Sequence, residues 1–349
     1  MLKTGFTTGA CAAAGAKAAC LLLSGDEVKD AVEIPLPDGG RMLVPVAESQ
    51  LIGGAAIASV IKDAGDDPDI TNGATVTARA EWNDRFELCG GEGVGTVTKK
   101  GLSVPPDEPA INPAPRRMIR EAVLEVTDRP VKITIAIPGG AELAQKTFNP
   151  RLGIMGGLSI LGTTGIVRPY SHPALKESLK CALDVAMANG VNHPVFTAGN
   201  IGTRSAKKLF RVSPEQVIEV GNEWGFMLDC ARHHDIKGLL AVGHPGKLAK
   251  LANGDWDTHS SRSGNATPFV MAVTQRLFAG FHCESPTVEG IFESLSLENA
   301  SLLGADLSRQ IGEAIAKRAN GGFPVAIALV NMKEELLGAW GDFSPWPSQ

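Results

Sequence analysis

The chain has few aromatic side chains and no marked excess of charge. It contains a single tyrosine, and Phe, Trp and Tyr together make up 5% of its 349 residues. We therefore expect no stacking platform for single-stranded nucleic acid. The formal net charge is −5, so we expect no overall attraction to nucleic acid or to an anionic membrane. A site for an anionic ligand must then be a local cluster of positive charge.

Cysteine and histidine occur without the spacing of a metal site. The six cysteines are scattered and form no C-x-x-C pair, and the seven histidines show no ligand spacing. We therefore predict no protein-bound metal, reduced thiols and a cytoplasmic location. Long apolar runs are also missing, because Lys17 interrupts the small-residue stretch near the N-terminus. The sequence leaves association into homo-oligomers open.

The first part of the chain predicts a strand-rich α+β domain over residues 1–147. Short apolar runs, several of them alternating, indicate strands, as over 74–82 and 131–138. Thr7 or Thr8 is placed to cap an alanine-rich helix, and 49–64 also has a helical pattern. Strands with few helices are typical of an α+β domain, and we expect this domain to contact the substrate.

From residue 148 to 349 the pattern changes to an alternation of helices and strands. Extended runs at 194–198, 216–220, 236–242 and 324–330 are separated by helical stretches. This alternation predicts a Rossmann-like α/β domain with a mainly parallel sheet, preceded by a glycine-rich connection. We expect the cofactor site in this domain.

The most unusual stretch is FNPRLGIMGGLSILGTTGIVRPY (148–170), the glycine-rich segment. It combines five glycines with two arginines, Arg151 and Arg168, and no carboxylate occurs between Glu142 and Glu177. Glycine lets backbone N–H groups approach a ligand, and arginine binds carboxylate or phosphate through paired donors. The segment therefore favours an anionic, oxygen-rich ligand over a plain connection between domains.

Two glycine loops follow predicted strands in the C-terminal half. The first, Ala198-Gly-Asn-Ile-Gly202, has Glu219 twenty residues after Gly199, where an acid commonly binds a ribose. An adenosine-bearing cofactor and a tight turn explain this spacing about equally well. The second loop, Gly243-His-Pro-Gly-Lys247, is not a P-loop, but Lys247 at a helix start opposes the helix dipole and suggests an anionic ligand.

An acidic loop and a few basic residues are further candidates. The loop 65–76 holds Asp66, Asp67 and Asp69. Turn chemistry is the favoured explanation for Asp66. Asp67 and Asp69 stay candidates, because mutual repulsion could raise the pKa of one carboxyl and suit it to proton transfer. His259 lies among hydroxyl side chains and is a candidate for proton handling. Arg116, just before a predicted helix, could clamp a carboxylate or simply be solvated.

Seven motifs in a fixed order resemble one family, the cobalt-precorrin-5B C1-methyltransferases of cobalamin biosynthesis. They are TGFTTGACAAAGAKAA (4–19), GDDPDITNGA (65–74), GEGVGTVTKKGL (91–102), PAINPAPRRMI (109–119), KTFNPRLGIMGGLSILGTTGIV (146–167), AGNIG (198–202) and GHPGKLAKLANG with THS (243–260). The family pattern often has Asn where this chain has Asp257, and Ala-Asp where it has Gly264-Asn265.

The resemblance implies methyl transfer from S-adenosylmethionine to ring carbon C1 of an anionic corrinoid. An ATP-dependent small-molecule kinase and a non-catalytic tetrapyrrole carrier are the alternatives. For catalysis we expect Asp67, His244 and His259. The expected substrate-binding residues are Thr7, Thr8, Asp69, Asn72, Arg116, Lys146, Arg151, Thr163, Thr164 and Arg168. The expected cofactor-binding residues are Gly199, Asn200, Gly202, Glu219, Gly243, Gly246 and Lys247.

Overall fold

A computed structural model describes residues 2–349 of the chain. The chain divides into two compact units, Met1–Pro173 and Ala174–Gln349. The glycine-rich segment thus packs within the first unit, whereas the sequence analysis grouped it with the second domain. No helix within residues 2–349 has both the length and the apolar character needed to cross a bilayer.

The first unit is rich in strands and has one long buried helix. Its elements are β1 (Gly5–Phe6), α1 (Thr8–Ser24), β2 (Ala31–Pro35), β3 (Arg41–Pro45), β4 (Glu48–Ile52), β5 (Ala55–Ile61), β6 (Thr75–Trp82), β7 (Glu87–Gly90), β8 (Thr96–Val97), α2 (Pro113–Leu124), β9 (Val131–Ala136), α3 (Gly140–Ala144), β10 (Ile154–Met155) and β11 (Ile166–Val167).

The main sheet of this unit has the strand order β4-β5-β6-β9-β7, antiparallel except for the parallel pair β7–β9. Helix α1 packs on β5 and β6 and against α2. Its alanine and glycine residues let it approach the sheet closely, since a Cβ on Gly15 would lie 3.2 Å from the Ala78 Cβ. Of the two threonines predicted as alternative caps, Thr7 caps α1 by accepting from the Ala10 N–H at 3.2 Å.

The helix predicted over 49–64 is wrong. This stretch is the hairpin β4–β5, in which Ile52 pairs with Ala55 across a two-residue turn. Gly53 and Gly54 occupy the turn with φ values of 58° and 84°, which residues other than glycine adopt at a cost. The Gly-Gly pair was therefore the decisive local signal, and it outweighs the helical spacing of the apolar residues.

The second unit is built on a mainly parallel sheet, as predicted. Its elements are α4 (His172–Ala188), β12 (Val195–Thr197), α5 (Asn200–Leu209), β13 (Val217–Glu219), α6 (Trp224–Ala231), β14 (Leu239–Gly243), α7 (Pro245–Ala252), α8 (Ser260–Ser263), α9 (Thr267–Leu277), α10 (Val288–Glu293), α11 (Leu297–Arg318), β15 (Val325–Val330) and β16 (Leu336–Trp340).

The strand order is β13-β12-β14-β15-β16, parallel from β13 to β15, with β16 as an antiparallel edge. Both faces of the sheet are buried. Along β14, Leu239 and Ala241 enter one apolar cluster, while Leu240 and Val242 enter another. Strands covered on both sides read as continuous apolar runs, which explains why the sequence predicted β14 and β15 well.

Candidate functional site

The second unit has a topological switch point between β12 and β14. From β12 the chain runs through α5 to β13 on one side, whereas β15 lies on the other side of β14. Ligands of open α/β sheets bind beyond the carboxyl ends of the strands at such a point. Here those ends lead into the two predicted glycine loops, at Gly199 and at Gly243.

Gly199 is the N-cap of α5, directly after β12. Its φ of 94° and ψ of −171° lie in a region used almost only by glycine. A Cβ here would point at two charged groups, at 3.6 Å from Lys247 Nζ and 4.0 Å from Glu219 Oε1. We call Gly199, Glu219, Gly243 and Lys247 the strand-end site.

The carboxylate of Glu219 is held by a hydroxyl of α5, which in turn contacts a hydroxyl at the end of β12. Its Oε2 accepts a hydrogen bond from Thr203 Oγ1 at 3.3 Å. Thr203 Oγ1 in turn lies 2.8 Å from Thr197 Oγ1. The side chain is only partly exposed, so the carboxylate is oriented while Oε1 remains directed toward the Gly199 backbone.

Gly202 allows α5 to sit directly on the sheet. A Cβ at this position would lie 2.5 Å from the Val242 carbonyl oxygen, a backbone atom that cannot move aside cheaply. This close approach of helix and strand is one of the glycine roles in nucleotide-binding α/β folds. Gly202 therefore positions the first turn of α5, including Asn200 and Thr203, at the strand-end site.

His244 caps α7 at the end of β14. Its Nδ1 accepts from the Gly246 N–H at 3.0 Å, so Nε2 carries the proton and donates to Glu289 Oε2 at 2.8 Å. Glu289 Oε1 also accepts from the Met332 N–H at 3.2 Å. Both ring nitrogens thus have protein partners, and the proposed catalytic role of His244 stays a prediction.

A cavity of about 540 Å³ lies beside the start of α7. We call it the lysine pocket, because Lys247 and Lys250 line it together with His259, while no carboxylate does. His259 Nδ1 lies 2.7 Å from Ser261 Oγ, and neither His244 nor Asn200 reaches this cavity. The lining residues are Asn222, Gly246, Lys247, Lys250, Thr258, His259, Ser260, Gly264 and Asn265.

Burial lowers the pKa of Lys247 from its ordinary value. The charge of Lys250 acts in the same direction, while Glu219 opposes it. The Lys247 ammonium is thus held in a half-buried place beside a second positive charge, which is the arrangement expected of a group that binds an anion.

In the first unit, the threonines predicted to bind substrate tie the glycine-rich segment to α1. Thr8 Oγ1 donates to the Ser159 carbonyl at 3.1 Å and accepts from the Leu161 N–H at 2.9 Å. Thr7 is occupied as the cap of α1, and Thr164 Oγ1 accepts from the Ile166 N–H at 3.2 Å within its own turn. Of the four predicted threonines, Thr163 is the one whose exposed hydroxyl forms no hydrogen bond within residues 2–349.

The same segment, together with Lys146 just before it, also presents cations and apolar groups to solvent. Lys146, Arg151 and Arg168 are exposed, and none of them forms an ion pair within residues 2–349. Arg151 lies over the Phe148 ring at 5.8 Å from its centroid. Large side chains left exposed along the segment are Phe148, Met155, Leu161 and Tyr170. The segment thus combines carboxylate-binding groups with an apolar surface.

The acidic loop is organised around a buried lysine. Lys62 is 2% exposed and donates to Asp69 Oδ2 at 2.6 Å. Burial acts to raise the pKa of Asp69, but the bonds from Lys62 and Thr71 outweigh it and hold the pKa below its usual range. Asn72 Oδ1 accepts from the Ala64 N–H at 2.9 Å, and Asp67 Oδ1 accepts from the Tyr170 N–H at 3.0 Å.

Arg116 is also engaged within the first unit. Its Nε donates to the Ile111 carbonyl at 2.7 Å, and Nη2 donates to Glu108 Oε2 at 2.9 Å. These bonds hold the chain before α2 and leave the guanidinium less available than those of Arg151 and Arg168. A substrate contact by Arg116 stays a prediction.

Sequence reasoning missed Lys62, Thr203, Asn222 and Lys250. Lys250 lies three residues after Lys247, so a helix over 245–252 places both on one face, and this spacing could have found it. Lys62 and Thr203 had no such signal, because their partners are set by strand pairing and by the crossover from β12. Among residues 2–349, no three His, Cys, Asp or Glu side chains lie together as a metal site requires.

Comparisons with known proteins agree with the sequence motifs. The CbiD family model matches residues 1–169. The cobalt-precorrin-5B C(1)-methyltransferase of Syntrophotalea carbinolica is 51% identical over 99% of this chain and 99% of its own. The enzyme of that name from Methanocaldococcus jannaschii is 41% identical over 97% and 96%.

A crystal structure of the cobalamin biosynthesis protein (cbiD) from Archaeoglobus fulgidus is 30% identical, with a TM-score of 0.41, and covers 75% of this chain and 83% of that one. The similarity to the two enzymes extends over nearly the whole of each chain. The chain therefore belongs to the cobalt-precorrin-5B C(1)-methyltransferase family, as the motifs predicted.

Proposed function

We propose that the chain transfers a methyl group from S-adenosylmethionine to C1 of cobalt-precorrin-5B, giving cobalt-precorrin-6A. The support is the near full-length similarity to enzymes that carry this activity in their names. A kinase or a carrier has no such support. The Rossmann-like second domain fits a nucleoside-bearing methyl donor, because its sheet has a switch point with glycine loops on both sides.

The observation that carries the donor assignment is the convergence of Glu219 and Lys247 on Gly199. Both charged groups lie within 4.0 Å of the place that a Cβ of residue 199 would fill, so glycine keeps this space free beside the backbone. The carboxylate of Glu219, at the end of β13, is suited to accept hydrogen bonds from the two hydroxyls of a ribose. Asn200, Gly202, Gly243 and Gly246 would form the backbone walls of this site.

When bound, S-adenosylmethionine supplies a methyl group that its sulfonium already makes electrophilic. The protein residues then mainly orient the two molecules, which accounts for a large part of the rate in bimolecular reactions. Asp67 is partly exposed and His259 is exposed, and both remain our proposals for tuning protonation. His244 is proposed to act less directly, because capping α7 and binding Glu289 occupy its ring.

The glycine-rich segment is proposed to bind the corrinoid. A corrin precursor is an apolar macrocycle with acetate and propionate arms, so its receptor needs both apolar contact and cations. Lys146, Arg151 and Arg168 supply cations without a competing carboxylate partner, and Phe148 with Tyr170 supplies exposed apolar area. Each shielded charge-assisted bond contributes about 1.5–3 kcal/mol, so several arms would fix the ring.

Calorimetry with S-adenosylhomocysteine tests the donor site. We expect Glu219→Gln to weaken binding by about tenfold or more, because the ribose loses a charged acceptor. Glu293→Gln, which changes an exposed glutamate of the same unit, should leave affinity unchanged. Unaltered affinity in a folded Glu219→Gln protein would place the nucleoside elsewhere.

Incubation of cobalt-precorrin-5B with S-adenosylmethionine labelled in its methyl group tests the reaction itself. Mass spectrometry should detect the label in the tetrapyrrole. Tight corrinoid binding with no transfer of label would instead support a carrier.

A further inference from the structure

The lysine pocket contains two ammonium groups and no carboxylate, although the chain as a whole has a net charge of −5. Lys247 and Lys250 lie three positions apart on α7, so both side chains project from neighbouring parts of the same helix face. Like charges at this spacing destabilise a helix. The pair therefore lowers the stability of α7 unless an anion lies between the two groups.

Lys250 is the more buried of the two, with 5% of its surface exposed. Its Nζ donates to the Thr258 carbonyl at 3.0 Å and to Ser263 Oγ at 3.1 Å. An ammonium has three donors, and no carboxylate within residues 2–349 lies within ion-pair distance of it. Two neutral acceptors therefore bind this ammonium group, and its charge has no carboxylate counterion among these residues.

The walls of the pocket are fixed in a way that suits binding. Thr258 donates through Oγ1 to Asn222 Oδ1 at 3.1 Å, and its N–H donates to the Asn222 carbonyl at 3.1 Å. The Thr-His-Ser motif is thus tied to the loop after β13 and to Lys250. Amide and hydroxyl groups of Asn222, Ser260 and Asn265 complete a lining that can donate to oxygen atoms.

We propose that the lysine pocket is a carboxylate-binding subsite in which Lys247 and Lys250 hold one carboxylate group between them. This inference rests on the proposed function for the source of the carboxylate, which is either the methionyl end of S-adenosylmethionine or an acidic arm of the corrinoid. Lys247 favours the methionyl end, because its Nζ also lies 3.6 Å from the Cβ position of Gly199 in the strand-end site.

Two adenosine ligands that differ in the carboxylate test this subsite. Calorimetry on the full chain would compare S-adenosylhomocysteine with 5′-methylthioadenosine, which lacks the amino-acid end. We expect Lys247→Met and Lys250→Met each to weaken binding of S-adenosylhomocysteine about tenfold to a hundredfold. Binding of 5′-methylthioadenosine should weaken much less, because this ligand has no carboxylate to lose its contact. Lys317→Met is the matched control, since Lys317 is exposed on α11 and outside the pocket.

Titration with cobalt-precorrin-5B, followed by its visible absorbance, separates the two sources. Weaker corrinoid binding in both variants with unchanged S-adenosylhomocysteine binding would keep the subsite and assign it to a substrate arm. Unchanged affinity for both ligands in folded Lys247→Met would overturn the proposal, and this variant decides if Lys250→Met fails to fold. If the wild-type protein binds neither adenosine ligand, the assignment of the strand-end site to the methyl donor is refuted. The carboxylate subsite is then tested by the corrinoid titration of the two lysine variants.

Discussion

The glycine-rich segment of the first unit and the strand-end loops of the second both contain several glycines, but the glycines serve different purposes. In the segment, a Cβ on Gly157 would collide with the backbone of Gly93, so this glycine serves chain packing. In the strand-end site, a Cβ on Gly199 would meet only the charged ends of Lys247 and Glu219. A glycine whose neighbours are functional groups, rather than backbone, is the stronger indicator of a ligand site.

The ionisable residues of the two regions differ in the same way. Lys62 and Asp69 in the first unit form a closed pair, with the lysine buried and the carboxylate also bound by Thr71. Lys247 and Lys250 in the second unit have no carboxylate within ion-pair distance in residues 2–349. Burial of charge alone therefore does not distinguish structure from function, whereas the presence of a protein counterion does.

The largest expected effect is that of Asp69→Asn on stability. The substitution leaves Lys62 buried without a counterion, which should lower the free energy of unfolding by about 3–5 kcal/mol in urea denaturation. The double variant Lys62→Met with Asp69→Asn should recover most of this loss. If Asp69→Asn instead keeps its stability and loses corrinoid affinity, the closed-pair interpretation is wrong and Asp69 binds substrate.

The pH dependence of this effect has a definite sign. The folded-state pKa of Asp69 lies below its ordinary value of 3.8, so its contribution to stability is complete above that value. It is lost as the pH falls through the lower folded-state pKa, because the unfolded chain then binds the proton first. The difference between wild type and Asp69→Asn should therefore be full at neutral pH and shrink below pH 3.8.

The next effect concerns the close contact between α5 and β14. Gly202→Ala places a Cβ 2.5 Å from the Val242 carbonyl oxygen, so the free energy of unfolding should fall by about 2–3 kcal/mol. Lys207→Ala, on the exposed side of the same helix, should change it by less than about 0.5 kcal/mol. Equal effects in thermal unfolding would mean that the helix does not depend on this approach.

Local patterns predicted most elements, because helices and strands bury their apolar residues with regular periods. The run 131–138, predicted as a strand, contains β9. Thr7, one of the two threonines predicted as caps, caps α1. The hairpin at 48–61 was missed since its register depends on the turn at Gly53 and Gly54. Periodicity carries no information about such pairings.

The candidate site residues also divide into those with a local sequence signal and those whose partners are distant in the sequence. Glu219 was selected as a candidate from its spacing to Gly199, and Lys247 from its position at a helix start, which are local features of α/β units. Thr8 forms hydrogen bonds with Ser159 and Leu161, which lie about 150 residues away in the sequence. These bonds could not be inferred, because they depend on where the glycine-rich segment packs. Lys62 and Asp69 face each other for a similar reason, since the loop after β5 folds back onto that strand.

The smallest expected effect is on corrinoid affinity, and it distinguishes the exposed arginines of the glycine-rich segment from arginines that already bind protein groups. Arg151→Ala and Arg168→Ala should each weaken cobalt-precorrin-5B binding about tenfold, because each removes one charge-assisted contact to a carboxylate arm. Thermal stability and S-adenosylhomocysteine affinity should stay unchanged, since neither guanidinium forms an ion pair within residues 2–349.

Two further arginines sharpen that result. Arg129→Ala is the matched control, an exposed arginine that lies over Trp82 at 4.1 Å from the ring centroid, and it should leave corrinoid affinity unaltered. Arg116→Ala should lower stability through its lost bonds to Ile111 and Glu108, with a smaller effect on the substrate. If Arg116→Ala weakens corrinoid binding more than Arg151→Ala does, the acidic arms of the corrinoid bind at Arg116, near the start of α2. The glycine-rich segment would then have only a structural role.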